Sequence, residues 1–294
     1  MLDFRLKVFY TVASEKSFTK AAHKHNITQP AVSKHIQELE RIYGITLFER
    51  RGSSILLTEA GKILYEQAKN IDEIYREIDY RISSLKEEHK GELRLGASTS
   101  IAQYVLPEVM ARFYNYYPAI KVSLISGNTE QIEQAILNKE IDLAFVEGLP
   151  SNHLLHYSEY MDDELVPITR KEGLYTTKKY ALEDIKELPL VMREDGSGTL
   201  DIIREKLLKE GHIRLDSNLN VIIKLGSTES IKAFVRHTDC IAFISKQALK
   251  RESDLHDLEV ISIKGLELKR KFYQVSLRGE LSGNAALFIK NLGS

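Results

Sequence analysis

Between Gly61 and Gly91 the chain carries neither glycine nor proline, and this run constrains the fold more than any other stretch. Its apolar positions Leu64, Ala68, Ile71, Tyr75, Ile78, Ile82 and Leu85 step by four and three residues in alternation, a heptad seam kept for about three repeats. The segment TEAGKILYEQAKNIDEIYREIDYRISSLKEEH, started by Thr58, therefore predicts one helix of about 45 Å at about 1.5 Å per residue. A helix buried against its own domain shows a broader apolar stripe. The narrow seam points to a second copy of the chain, with those seven residues as the dimerisation set.

Ahead of this helix the patterns are short and helical. Asp3 caps a helix whose apolar positions are Leu6, Phe9 and Val12, and Ser17 caps a second through the small pair Ala21 and Ala22. Asn26 suits a left-handed turn at its end, and Thr28 then caps a third helix. Ile27 and Val32 stand at the two positions of a hydrophobic staple, and Pro30 falls in the first turn, where its missing N–H has no intrahelical acceptor to lose. Two helices joined by so short a turn form a helix-turn-helix.

The third helix has two unlike faces. Val32, Ile36 and Leu39 look inward, while Gln29, Ser33 and Gln37 lie at i, i+4 and i+8 with Thr28, Pro30 and Lys34 beside them. Neutral donors and acceptors of this kind test base edges, whereas a purely cationic face binds any phosphate backbone. A solvated amphipathic helix has the same periodicity, and the residues beyond its C-terminus decide between the two. Gly44 ends the helix, ITLFER reads as a strand, Arg50, Arg51, Gly52, Ser53 and Ser54 make a basic turn, and ILLT returns as a second strand. That is a wing, whose arginines suit a minor groove or phosphates.

Charge is distributed accordingly. The whole chain carries a net charge of -1, yet through Lys62 ten Lys and Arg stand against six Asp and Glu, leaving the remainder acidic. At 294 residues two or three compact units are expected. The single cysteine, Cys240, excludes an intramolecular disulfide framework and any paired-cysteine metal or redox motif, and reads as a buried inert thiol. Charges at Asp3, Arg5 and Lys7 interrupt the apolar run a signal peptide needs, and no segment approaches the roughly 20 apolar residues of a membrane span, so the expected location is the cytoplasm.

From Gly91 onward, strands rich in Val, Ile and Leu alternate with helical stretches, as in an open α/β sheet whose ligands sit beyond the strand ends. Ser98, Thr99 and Ser100 mark the first strand-to-helix turn, and Asn128 and Thr129 the second. DDELVPITRK, near Asp162, reads as a strand crossing to a second lobe, where Ser197, Gly198, Thr199, Ser227 and Thr228 occupy two further turns. The chain returns to the first lobe around residues 266–271. Helix N-termini with free N–H groups and hydroxyls suit a carboxylate or another oxyanion, although each such residue alone is also an ordinary cap. Four facing turns make a cleft, and a small anionic effector is the expected ligand. Enzyme signatures are missing: DGSGT lacks the frame of a nucleophile elbow, and no HExxH, P-loop or dinucleotide fingerprint occurs. His23 and His25, two apart on a helix, point away from each other, and no metal site is expected.

The N-terminal run resembles the LysR-type transcriptional regulators, through SFTKAA, TQPAVSKHIQELE, LFER and LTEAG in order and at that family's spacing. The resemblance implies a multidomain chain: an all-α winged helix-turn-helix domain over residues 1–58 (motif about 18–37, wing about 45–57) and a linker and dimerisation helix over 58–90. It further implies an α/β two-lobed, periplasmic-binding-protein-like (type 2) effector domain, with lobe I at 91–161 plus 267–294 and lobe II at 162–266. It assigns DNA contacts to Thr28, Gln29, Pro30, Ser33, Lys34, Gln37, Arg50 and Arg51, and effector contacts to the hydroxyl turns named above. The implied partners are double-stranded DNA at an imperfect inverted repeat, a second copy of the chain as a homodimer or homotetramer, and a small-molecule effector, with no cofactor and no membrane. One departure stands out: where many relatives carry a glycine-rich turn, this chain has Arg236, His237, Thr238, Asp239 and Cys240.

Overall fold

Three helices open the chain, each started by a side chain that caps it. In α1 (Phe4–Glu15) the Asp3 carboxylate accepts the Arg5 N–H at 2.9 Å. In α2 (Phe18–His25) Ser17 Oγ accepts Lys20 N–H at 3.2 Å, and in α3 (Gln29–Tyr43) Thr28 Oγ1 accepts Ala31 N–H at 3.4 Å. Asn26 and Gly44 end α2 and α3 in the left-handed region, at φ 53° and 67°. The computed structural model describes residues 3–51, 54–85, 88–176, 179–214, 219–249, 257–279, 281 and 283–292, which fall into two compact units, Met1–His89 and Lys90–Ser294.

Val8, Phe9 and Val12 of α1, Ala21 and Ala22 of α2, and Val32, Ile36 and Leu39 of α3 form the core of the first unit. Each large side chain in it contributes about 1.5–3 kcal/mol by leaving water. The wing strands β1 (Phe48–Arg51) and β2 (Ser54–Leu57) pair antiparallel, Phe48 opposite Leu57 and Arg51 opposite Ser54. Strand β1 starts later than the ITLFER reading: Leu47 is 1% exposed, and its N–H is taken by Glu40 Oε1 at 2.8 Å, so it serves the core rather than the ladder. Helix α4 (Glu59–Ser84) follows, capped by Thr58 Oγ1, which accepts the Gly61 N–H at 3.0 Å. A Cβ at Gly61 would lie 2.1 Å from the Leu47 carbonyl oxygen, so only glycine lets α4 pass this close.

The second unit is built on a nine-stranded sheet. Its elements in chain order are β3 (Gly91–Ser98), α5 (Thr99–Tyr104), α6 (Leu106–Tyr116), β4 (Ile120–Gly127), α7 (Thr129–Leu137), β5 (Leu143–Glu147), β6 (Leu155–Arg170), β7 (Tyr180–Ala181), β8 (Leu190–Arg193), α8 (Gly198–Gly211), β9 (Val221–Leu225), α9 (Thr228–Arg236), β10 (Ile241–Ser245), β11 (Leu258–Val260), β12 (Ile263–Lys264), β13 (Leu268–Leu277) and α10 (Gly283–Lys290). Strand order is β4-β3-β5-β13-β6-β10-β8-β9, with β11 added on β6, while β7 and β12 pair separately. Two parallel trios, β4-β3-β5 and β10-β8-β9, thus flank an antiparallel centre made of β13 and β6.

That register decides where a site can form. Ser245 at the end of β10 pairs with Leu165, which pairs with Leu268, whereas Glu147 at the end of β5 pairs with Phe272. The carboxyl ends of the two trios therefore face each other across four residues of β13, about 13 Å. Arg270 lies between them. Strand β6 begins at Leu155, earlier than the DDELVPITRK reading, because Leu155–Met161 pair with β13 more than a hundred residues away.

Candidate nucleic-acid interface and interlobe ligand site

On α3, Thr28, Gln29, Pro30, Lys34 and Gln37 are exposed and Ser33 is half-buried, while Val32, Ile36 and Leu39 are buried. The polar line is internally ordered: Gln29 Nε2 donates to Ser33 Oγ at 3.0 Å. This leaves the Gln29 carbonyl oxygen and its second N–H for an outside partner. The backbones of Arg50 and Arg51 belong to β1, but the contacts expected of their side chains lie outside the described residues, as do Gly52 and Ser53. Around the helix pair, His25 shares a 2.8 Å hydrogen bond with Thr11 Oγ1, and burial, with Lys7 and Lys24 nearby, holds its imidazole below the ordinary value.

Along α4 the seam residues have unequal surroundings. Leu64 packs against the core of its own unit and Ala68 is 1% exposed, whereas Ile78, Ile82 and Leu85 are exposed at 43%, 53% and 88%. Ile71 and Tyr75 are half-buried between these groups. Three large apolar side chains thus stand in water on one helical line.

The hydroxyl turns of the second unit gather around a carboxylate that belongs to the chain itself. Glu147 is 1% exposed; its Oε2 accepts Ser98 Oγ at 3.2 Å and its Oε1 accepts Thr199 Oγ1 at 2.8 Å. Thr129 Oγ1 donates to the Glu147 backbone oxygen at 2.8 Å and accepts the Gly198 N–H at 3.3 Å. A Cβ on Gly198 would lie 2.0 Å from that same oxygen, so glycine here allows β5 and the start of α8 to touch.

Two arginines complete the cluster. Arg270 donates from Nε to Asp163 at 2.7 Å and from Nη1 to Thr199 Oγ1 at 2.9 Å, and its Nη2 stands 3.5 Å from Glu147. Arg193 makes a forked pair with Glu194 at 2.8 and 2.9 Å, and its Nη1 is 3.9 Å from Glu147. Ser245 Oγ supports Asp163 at 2.8 Å. Burial alone would raise the Glu147 carboxyl, but Arg270 and Arg193, with the hydrogen bonds from Thr199 and Ser98, outweigh it and hold the group below its ordinary value, hence ionised.

The remaining residues expected at the cleft divide. Asn128 caps α7 through Gln131 N–H and reaches across with Nδ2 to the Asp195 carbonyl at 3.3 Å. Thr99, Ser100, Ser197 and Thr228 are buried, and Ser227 caps α9 by accepting Ser230 N–H at 3.2 Å. The turn before α9 joins the cluster only through Arg193 Nη2, 3.4 Å from the Gly226 carbonyl. Across the rim, Tyr104 of α5 hydrogen-bonds Glu229 of α9. A groove of about 600 Å³ opens beside the cluster, lined by Asp163 and Arg270 with Lys246, Gln247 and Lys269.

Glu147, Arg193, Arg270 and Asp163 were not among the residues expected from sequence. For Glu147 and Arg193 the signal was present as charged residues closing the apolar strands LAFVE and LVMR, at the strand ends where ligands gather; Asp163 and Arg270 lie inside β6 and β13 and carry no such local mark. In the departing loop, Asp239 accepts from Arg170 at 2.9 Å and from the Leu174 N–H at 2.9 Å. Cys240 beside it is buried, and burial, then Asp239, pushes its thiol up to about 11. Among the described residues no helix is long and apolar enough to cross a membrane, and no group of three or more His, Cys, Asp or Glu is placed to hold a metal.

Comparison with known proteins gives two family matches, separated by most of α4. Residues 4–62 match the bacterial regulatory helix-turn-helix protein model of the lysR family, and residues 86–294 match the LysR substrate binding domain. The transcriptional activator CmpR of Synechocystis is 34% identical over 270 residues, spanning 92% of this chain and 87% of that protein. The regulatory domain of CcmR from Synechocystis PCC6803, solved in complex with 2-PG, superposes with a TM-score of 0.61 at 30% identity, covering 69% of this chain and 96% of that one. Full-length CbnR, solved with its target DNA, shares the fold with a TM-score of 0.68 at 19% identity over 100% of this chain and 99% of its own.

Proposed function

This chain belongs to the LysR family of DNA-binding transcription regulators, and from that premise we propose that a small anionic effector, held by the hydroxyl turns around Glu147, sets how it engages its operator. It acts by binding DNA and a small-molecule effector, and it turns over no substrate. Operator reading falls to Thr28, Gln29, Pro30, Ser33, Lys34 and Gln37, with Arg50 and Arg51 of the wing on phosphates or in the minor groove. Gln29 offers bidentate contact to adenine, and Lys34 supplies phosphate attraction.

The observation that carries the effector reading is the convergence of Ser98, Thr129 and Thr199, from three separate turns, on one carboxylate and its backbone. Groups that hold a carboxylate in this arrangement are suited to another oxyanion of similar size. 2-PG, which the CcmR regulatory domain binds, is therefore the first anion to try here. The chain works as a homodimer through the exposed end of α4, and pairs of such dimers give a tetramer. Two recognition helices then enter successive major grooves about one helical turn apart, on an imperfect inverted repeat. The place of action is the cytoplasm, where the operator is.

The test is a thermal-shift screen of small anions on the full-length protein, since a ligand that binds only the folded state raises its melting temperature by mass action. A saturable rise for at least one phosphorylated or carboxylated compound supports the reading. A flat response across the screen at millimolar concentrations overturns the anionic effector and leaves the DNA-binding assignment standing.

A further inference from the structure

Donors outnumber acceptors where the turns of the second unit meet. Arg193 and Arg270 are 2% and 5% exposed, and both keep one N–H group, Nη1 and Nη2 respectively, without a hydrogen-bond partner. These are the two groups aimed at Glu147, at 3.9 and 3.5 Å, close enough for charge attraction and too far for a bond of good geometry. The buried hydroxyls of Thr99 and Ser197 are also unpartnered; Thr99 follows Ser98 in the chain and Ser197 precedes Gly198, so both stand at the same turns. A buried cationic N–H without an acceptor is costly, and here two face the two oxygens of one carboxylate.

The reason the fit is incomplete is the tether. Glu147 is fixed by its strand pairing with Phe272 and by the Thr129 bond to its carbonyl, and it has only two oxygens to offer. A free anion with three or four oxygens is under no such restraint. Charge forbids both at once: Arg193 and Arg270 already face the carboxylates of Glu147, Asp163 and Glu194, an excess of one negative charge. A second anion beside Glu147 would enter a site of its own sign. The groove of about 600 Å³ runs beside Arg270 and Asp163, with Asp162 and Glu164 as well as Lys246 and Lys269 on its walls, but the Arg270 and Asp163 side chains are fully buried, so an anion reaches them only when the cluster opens.

We propose that Glu147 is a tethered occupant of an oxyanion site, and that a free oxyanion enters the cleft by displacing this carboxylate from Arg193 and Arg270. The inference rests on the reading of this cleft as the effector site and adds how the site is regulated. Without ligand the chain supplies its own anion, which bonds Ser98 on one side of the cleft and Thr199 on the other and so holds the two together. With ligand, those groups are handed to the newcomer and Glu147 is released. The effector must therefore bring more than the two oxygens that the glutamate already provides.

Calorimetry of the full-length protein with sodium sulfate and inorganic phosphate, at ionic strength balanced by chloride, tests this on wild type, Glu147→Gln and Glu147→Ala. Glutamine keeps the volume and the hydroxyl partners while removing the charge, so it holds the fold where alanine leaves a hole. The expected result is at least tenfold tighter sulfate binding by both variants than by wild type. Equal affinity in all three proteins overturns the displacement, and so does a lack of sulfate binding by variants that melt cooperatively. If the variants gain sulfate but operator binding ignores every anion that stabilises wild type, the effector reading fails while the tethered occupant stands.

Discussion

Gln29 donates its side-chain amide to the Ser33 hydroxyl at 3.0 Å, one turn further along the exposed face of α3. The bond holds Gln29 against the helix and limits its rotamers, so less freedom is lost when it meets a base. Replacing Gln29 by Ala is expected to lower discrimination between operator and random DNA by about 1–3 kcal/mol. Lys34→Ala should weaken both alike and flatten the salt slope by about one. Fluorescence anisotropy on both DNAs across a salt series separates the two effects; equal losses on operator and random DNA for Gln29→Ala would remove it from the reading face.

Much of the DNA-binding unit was legible because its signals are local. Asp3, Ser17 and Thr28 cap the helices that follow them, Asn26 and Gly44 end two of those helices, and the apolar spacing of Val32, Ile36 and Leu39 names the buried side. The second unit was legible in its strand and helix alternation but not in its centre. Nothing within ten residues of Glu147 indicates that Arg270 will lie 3.5 Å away, because that proximity is made by β13 inserting between β5 and β6. Glutamate before glycine reads locally as a turn. The early start of β6 was hidden for the same reason, its pairing partner being remote in sequence.

Gly61 makes a different prediction. An added methyl group would meet the Leu47 carbonyl oxygen at 2.1 Å and the Leu57 side chain at 3.0 Å, and a backbone carbonyl has little room to give. Gly61→Ala is expected to destabilise the first unit by about 1–3 kcal/mol, the usual cost of overpacking. Urea unfolding checks it, and an unchanged midpoint would show that α4 shifts without cost.

The exposed end of α4 predicts assembly. Placing charge at two of its apolar positions, Ile78→Asp with Ile82→Asp, should leave the unit folded, since both side chains are in water, but shift the chain toward monomer. Analytical ultracentrifugation at micromolar concentration reads this out. A dimer of unaltered stability would place the subunit contact elsewhere.

In the cleft, Ser98→Ala with Thr129→Ala removes one hydroxyl from Glu147 and another from the bridge between Glu147 and Gly198. At about 0.5–1.5 kcal/mol for each hydrogen bond, the affinity for a stabilising anion should fall about tenfold. Calorimetry that finds the affinity untouched would move the ligand away from these turns.

If the anion site of the second unit governs what the recognition helices do on DNA, filling that site changes the path of bound DNA. The most direct measurement is resonance energy transfer between the two ends of an operator fragment bound by the full-length protein, followed during titration with the anion that stabilises it. Transfer should change saturably, with a midpoint matching the calorimetric affinity and weakened in parallel by Ser98→Ala plus Thr129→Ala. A trace that stays flat while calorimetry shows the site filled would contradict this coupling.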